Sequence, residues 1–398
     1  MSLQYELWLS DDAGRRLKLL KEFSFLTYTR AVSSLGTCNF GLPFRPFADE
    51  FNPWFKPDWR LEIWRRPQSG SSLRLENVFM LRKPNVYTRA EDNMQIIQFY
   101  GRDGIDLLNR RHVIQRGGTE WTTKSNYADD MIKQIVREQM LYGSAVDEDG
   151  TADNSRAWPQ NEFFVQSDSS QGPIIEKTFE GQSVFEVLKD IKASTFQLNE
   201  KDAANRRIFF HVEPYYLSSV NTGSGAPVGW RLFTKADFYG ADRTKGIEFS
   251  LENENIQTPR YGISHLDEFN AVYVKGNGRG ASQAIESVLD VTRINSSRWN
   301  RVEAIEPAGG ETTTAGLQNV GYAALNVGKP QRELPLEFIS TPATRDTPRS
   351  LYGIDWDLGD RLPVNYADLQ FEVDVNVVYV SLNESGEETI TGRNEVLA

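Results

Sequence analysis

A two-residue alternation near the C-terminus constrains this chain more than any other feature. Leu369, Phe371, Val373, Val375, Val377 and Tyr379 alternate with Gln370, Glu372, Asp374 and Asn376. Successive side chains of a strand point to opposite faces, so the spacing predicts one strand with a dry face and a wet one. The carboxylates of Glu372 and Asp374 then belong to the wet face. The N-terminus follows the same rule, with Leu3, Tyr5, Leu7 and Leu9 set against Gln4, Glu6 and Trp8. Turn residues fill Ser10 to Gly14, and Arg15 to Tyr28 reads as the returning strand of a hairpin. Further short strands are expected at Arg60 to Trp64, Val78 to Arg82 and Met94 to Tyr100. Short strands with turn residues between them favour a barrel or sandwich.

The period then changes. Ala128, Met131, Ile132, Ile135, Val136 and Met140 recur at helical spacing, with Asn126 as cap and Asp129 and Asp130 in the first turn, where the helix dipole favours carboxylates. A second helix starts at Ser183, with Glu186 placed to close a capping box, and buries Val184, Val187, Leu188 and Ile191. Strands follow at Arg207 to Val212 and Trp230 to Thr234. The connections 146–160, 167–172 and 218–229 are polar or rich in glycine and read as exposed loops. Domain edges are expected near Gly117 and Gly246, dividing the chain into 1–117, 118–245 and 246–398. The last part returns to strands at Ile247 to Leu251, Ala271 to Lys275 and Leu334 to Ile339, interrupted by a helix over Thr314 to Leu325 capped by Thr314.

The net charge of −11 argues against a protein that grips nucleic acid, because phosphate binding needs a basic stripe that releases counterions. It leaves open DNA passing nearby without binding. A lone cysteine, Cys38, forms no intrachain disulfide, which suits assembly in a reducing cytoplasm and reads as a small buried residue. No membrane anchor or export signal is expected, since no run approaches the ~20 apolar residues a membrane helix requires.

Gly276-Asn-Gly-Arg-Gly-Ala281 has the form of a dinucleotide fingerprint, but no acid follows about twenty residues later and no βαβ rhythm surrounds it, so a flexible connection is the better reading. Asp147-Glu-Asp-Gly-Thr-Ala-Asp153 spaces carboxylates as calcium loops do, yet its glycine is misplaced and Trp158 stands at the twelfth position; a solvated loop is expected and no metal is assigned. His112, His211 and His265 lie in no metal or catalytic spacing, and no nucleophile elbow or phosphate-binding loop occurs. Paired carboxylates of the glycosidase kind stay open among 55 acids. Trp54 and Trp59, in the proline-rich segment 51–59, read either as a sugar platform or as a subunit contact, and the contact is preferred.

Four segments resemble the hub proteins of tailed-phage tail tips. They are Gly101-Arg-Asp-Gly-Ile-Asp-Leu-Leu-Asn-Arg-Arg-His-Val113, the helix from Gly181 to Ile191, Asn270-Ala-Val-Tyr-Val-Lys-Gly276, and Asp357-Leu-Gly-Asp-Arg361 ahead of the final strands. They occur in the order found in that family. The resemblance implies a mainly β chain with an α/β insertion, two tube-like β-barrel domains flanking a mixed α/β middle domain. It also implies a homotrimeric ring at the distal end of a virion tail, assembled in the host cytoplasm and adapting sixfold to threefold components. Its partners would be the distal tail protein, tail tube, tape measure protein and central fibre or spike, with DNA passing through unbound. The role would be structural, without catalysis or cofactor and with no appended lytic domain. In that setting Glu372 and Asp374 are expected at the channel, and Trp54 and Trp59 at subunit contacts. A carbohydrate- or receptor-binding module, a glycosidase and the distal tail ring protein remain alternatives.

Overall fold

The computed structural model describes residues 5–44, 56–114, 122–141, 154–159, 161–179, 181–195, 206–216, 228–309, 311–345 and 347–394. Its dominant element is an eleven-stranded sheet, antiparallel throughout. The strands run in the order Ile256–Gln257, Glu337–Ile339, Glu388–Arg393, Val377–Asn383, Phe25–Ala31, Thr37–Pro43, Gln95–Arg102, Arg74–Thr88, Arg60–Arg65, Tyr5–Ser10 and Arg16–Leu20. The β regions expected at either end of the chain are therefore present, and they are one sheet. The weld is the ladder from Val377 opposite Ala31 to Asn383 opposite Phe25.

One core lies beneath this sheet. It draws Leu7, Leu26, Phe40, Leu61, Ile63 and Phe79 from the N-terminal strands and Phe338, Trp356, Val378 and Val380 from the C-terminal ones. Within Phe25–Ala31, Leu26 and Tyr28 face in while Thr27 and Thr29 face out, the alternation that a one-sided sheet requires. Thr37–Pro43 follows the same rule, burying Cys38, Phe40 and Leu42. Arg15 to Tyr28 is not one strand: Arg16–Leu20 returns along Tyr5–Ser10, and Phe25–Ala31 crosses to pair elsewhere. The expected strand at Ile247 to Leu251 reduces to a single bridge between Phe249 and Val364.

The C-terminal alternation also divides. Leu369–Asp374 forms a hairpin with Arg361–Tyr366, and Val377–Asn383 belongs to the large sheet. Val375 is held between the amide of Gly359 and the carbonyl of Asp360, while Asn376 accepts from Val32 and donates to Arg393. Those bonds take up both residues as the chain steps from one sheet to the other, and the phase slips by one. Val378, Val380 and Leu382 face the core; Tyr379 is 40% exposed, opposite to the expectation.

A second core holds an α/β unit between residues 105 and 236. The helices Ala128–Met140 and Val184–Ser194 pack on the sheet made by Phe163–Val165, Val228–Ala236 and Ile208–Tyr216. The Ser183 capping box forms as expected, side chain to the Glu186 amide and Glu186 back to the Ser183 amide. Asn126 instead binds the neighbouring Tyr127 amide, and no side chain caps the first helix. Asp129 and Asp130 do more than face the dipole. They are buried, Asp129 pairs with fully buried Lys133 at 2.9 Å, and both accept amides from segment 169–171.

A third, small core sits inside the last part of the chain. Ala271–Lys275 pairs antiparallel with Ile285–Leu289 and parallel with Glu303–Pro307, and the helix Thr314–Val327 crosses one face. Thr313, not Thr314, is its cap, accepting from the Gly316 amide at 3.0 Å.

Candidate assembly surfaces

One of the segments that carry the family resemblance, Asp357–Arg361, joins a set of charges where the two ends of the chain meet. Asp357 accepts from Arg30 at 3.1 Å and from Arg74 at 2.9 Å. Both arginines also reach Glu76, whose side chain is fully buried, and Tyr352 donates to Glu76 at 2.9 Å. Next to it Arg65, 1% exposed, forks onto Glu388 at 2.7 and 3.0 Å, and Tyr5 donates to the same carboxylate. Three arginines thus meet three carboxylates where the N-terminal and C-terminal strands join. Burial alone would raise the Asp357 pKa, but Arg30 and Arg74 outweigh it and hold it below the ordinary carboxylate range. Arg30, Arg74 and Asp357 stay 20%, 31% and 29% exposed, whereas Glu76 and Arg65 are fully buried, and charges buried in that way are costly to unpair.

The rest of the Asp357–Arg361 segment acts as a clasp. Asp360 accepts from the Ala241 amide at 2.7 Å and from Arg243 at 2.5 Å, tying in the exit of the middle unit. Gly359 has a φ of +81°, and a Cβ there would lie 2.3 Å from Tyr239, so only glycine fits this turn. Arg361 forks onto Asp374 at 2.7 and 3.0 Å. In the N-terminal segment Asp103 is fully buried and accepts from the amides of Gly36 and Ile105. Burial pushes its pKa well up despite those two bonds. These motifs build a framework; they assemble no reaction centre.

Among the described residues, Glu372 and Asp374 lie on one strand, Leu369–Asp374, and Trp59 lies in the large core. Asp374 is buried and neutralised by Arg361, so it does not point into water as the alternation implied. Its hairpin register places it opposite Arg361, and that cation accounts for its burial. Glu372 is exposed, opposite Pro363 on the same hairpin. Trp59 is buried in the core of its own chain, 8% exposed, which removes it as a subunit contact. Trp54 lies outside the described residues, as does the segment Asp147 to Asp153. The turn from Gly276 to Ala281 connects two antiparallel strands through a short 3-10 turn, which is no dinucleotide site. His211 is buried, and burial followed by the nearby Arg30 lowers its pKa to about 3. Among the described residues no group of three or more His, Cys, Asp or Glu is placed to hold a metal.

What sequence reasoning missed is the outer face of the large sheet. A concavity of about 820 Å³ opens there, lined by Thr27, Thr29, Asn39, Tyr100, Tyr379 and Thr391 among others. Among the described residues no carboxylate contributes to its lining, while Arg82, Lys83 and Arg102 do. A bulge between Leu81 and Lys83 puts the two successive cations Arg82 and Lys83 on the exposed side. Arg82 is paired with Asp58 at 2.9 Å and Arg102 with Asp106 at 3.0 Å, so much of this positive charge is answered locally. The signal was available in the outward Thr and Asn residues of Phe25–Ala31 and Thr37–Pro43, the second of which was not recognised as a strand.

Solved structures share this fold. The tail protein from Neisseria meningitidis MC58 matches with a TM-score of 0.52 at 11% identity, over 99% of this chain and 98% of that one. The 43 kDa tail protein of prophage MuSo2 from Shewanella oneidensis matches with a TM-score of 0.52 at 11% identity, over 99% of each chain. The chain has the fold of phage tail proteins. Prophage tail protein gp18 from Listeria monocytogenes EGD-e shares it at a TM-score of 0.50 and 9% identity, over 99% of this chain and 95% of that one. No family model and no curated protein matches the sequence. The tail-protein fold thus persists here at an identity too low for sequence matching to detect.

Proposed function

We propose that this chain is a non-enzymatic structural hub at the distal end of a phage or phage-like tail, three copies closing a ring around the DNA passage. The ring would join the tail tube and distal tail ring on one side, where the tape measure protein also ends, to a central fibre or spike on the other. The observation that carries this reading is the eleven-stranded sheet, which welds the two ends of the chain and presents a curved, hydroxyl-lined outer face.

Such a face suits a conduit. Threonine, asparagine and tyrosine keep a wall wet, and arginines already paired to Asp58 and Asp106 offer DNA no unanswered basic stripe. The passage wall in this proposal is the hydroxyl face and not the hairpin that carries Glu372. Imaging of concentrated protein by negative stain, with classes sorted by rotational symmetry, tests it. Threefold rings with a central hole are the expected result. Sixfold rings would reassign the chain to the distal tail ring, and particles without rotational symmetry at every concentration would count against a ring altogether.

A further inference from the structure

Among the described residues the large sheet is open, and its two ends differ in charge. At one end Arg16–Leu20 pairs on a single side, with Tyr5–Ser10. The segment from Arg15 to Lys21 reads Arg-Arg-Leu-Lys-Leu-Leu-Lys, four cations and no acid. Arg15 and Lys21 are exposed, and Leu17 stands 50% exposed between them. At the other end Ile256–Gln257 pairs only with Glu337–Ile339. It is preceded by Leu251-Glu-Asn-Glu254, in which Glu252 and Glu254 are exposed and Leu251 is 52% exposed.

Open strand edges invite pairing with other chains, and lysine on an edge is one way proteins discourage it. A guard works equally well with the same charge at both ends, since like charges hold copies apart. Here the signs are opposite, and each end adds one solvent-exposed leucine. We infer that the basic edge of one copy docks on the acidic edge of the next, Leu17 meeting Leu251 and Arg15 and Lys21 facing Glu252 and Glu254. This rests on the ring proposed above and assigns its contact. The two patches are different surfaces of one chain, so the contact is head to tail, the kind that closes into a ring when the rotation allows. Charges at the margin of such a contact steer association and make it sensitive to salt.

A charge swap in the full-length protein tests the assignment. The acidic variant Arg15→Glu with Lys21→Glu, and the basic variant Glu252→Lys with Glu254→Lys, should each weaken ring formation about tenfold or more in sedimentation. An equimolar mixture of the two should not rescue fully, but all four changes in one chain should restore rings. An independent readout is Leu17→Cys combined with Leu251→Cys. The native Cys38 is buried at 3% exposure, so mild oxidation should link only the new pair, giving covalent trimers on a non-reducing gel, with neither single change producing them. Rings that form as in the wild type in both charge-reversed variants, with no crosslink from the cysteine pair, would overturn the edge contact and leave the ring standing. A wild-type protein that forms no ring at any concentration, with no crosslink from the pair, would overturn the ring and the contact together.

Discussion

The molecule carries two units in which a helix crosses a small sheet, and they are built on very different scales. The middle unit buries Ile132, Ile135, Val136, Phe179, Leu188, Phe210 and Leu232 completely, along with other residues from two helices and several strands. Among the described residues, the apolar cluster of the unit around Ala271–Lys275 is Val272, Val274, Val288, Leu317 and Leu325. Its helix covers one sheet face; on that sheet Ile285, Leu289 and Ile305 remain 56%, 38% and 59% exposed. Nearby, Trp299 is 85% exposed and Leu266 93%. Core size sets how far a unit can stand by itself, because hydrophobic stabilisation scales with the area removed from water. The small unit leans on the large one: Thr314–Val327 packs against Ile174–Phe179 and Val184–Ser194, and Thr178 donates to Glu311.

The largest effect is expected in the middle unit. Phe210 is fully buried, and its backbone exchanges hydrogen bonds with the side chain of Ser33, in the turn between the sheet strands Phe25–Ala31 and Thr37–Pro43. Phe210→Ala should cost about 3–5 kcal/mol. Because the bonds to Ser33 connect two cores, denaturation followed by tryptophan fluorescence and by far-UV signal should shift as one transition. Separate transitions would show that the middle unit and the large sheet unfold independently.

Leu325→Ala makes the opposite case. The lost side chain should cost about 2–4 kcal/mol, but the loss should stay local. Amide exchange at Val272 and Val274 should accelerate while that at Ile132 to Val136 stays as in the wild type. Equal acceleration at both would sink the contrast between the units.

Acid should act on the middle unit before the buried charge network. His211 is held neutral by burial, its ring edge-on to Phe233 and Tyr239, and its pKa is about 3 in the folded chain. The unfolded value is about 6.5, so between these limits the unfolded state binds more protons and stability falls as pH falls. Asp357, also depressed in the folded state, adds its loss only once pH drops through the ordinary carboxylate range near 4 and below. His211→Phe should therefore flatten the stability profile between about pH 6.5 and 4.5 and leave the steeper acid limb. An unchanged slope in that window would mean that His211 is not the group responsible.

Much of this architecture was legible wherever the signal was local. The helix from Val184 was readable because Ser183, Glu186 and the 3.6-residue spacing all lie within one segment. The alternation from Leu369 correctly announced β structure, yet the break at Val375 and Asn376 depends on Gly359, Asp360, Val32 and Arg393, which no local pattern connects to it. The same limit applies to Asp374, whose exposure was judged from its own strand while Arg361 decided it. Ion pairs such as Arg30 with Asp357 and Arg65 with Glu388 join residues some three hundred positions apart. Trp59 looked like an offered aromatic because its burial is set by strands drawn from both ends of the chain.

The smallest effects come from the helix caps, and they sharpen the contrast most directly. Ser183 satisfies the Glu186 amide and receives Glu186 in return, whereas Thr313 supplies a single bond to Gly316. Ser183→Ala should cost about 1 kcal/mol and Thr313→Ala about the same or slightly less. The location of the loss matters more than its size. If the middle unit unfolds together with the large sheet, Ser183→Ala lowers the global denaturation midpoint with no change in slope. If the small unit opens by itself, Thr313→Ala leaves that midpoint in place and raises exchange along Leu317 to Leu325. A shift of the global midpoint by Thr313→Ala would mean that the small core, despite its five buried residues, is cooperative with the rest of the chain through the packing of its helix on Ile174–Phe179.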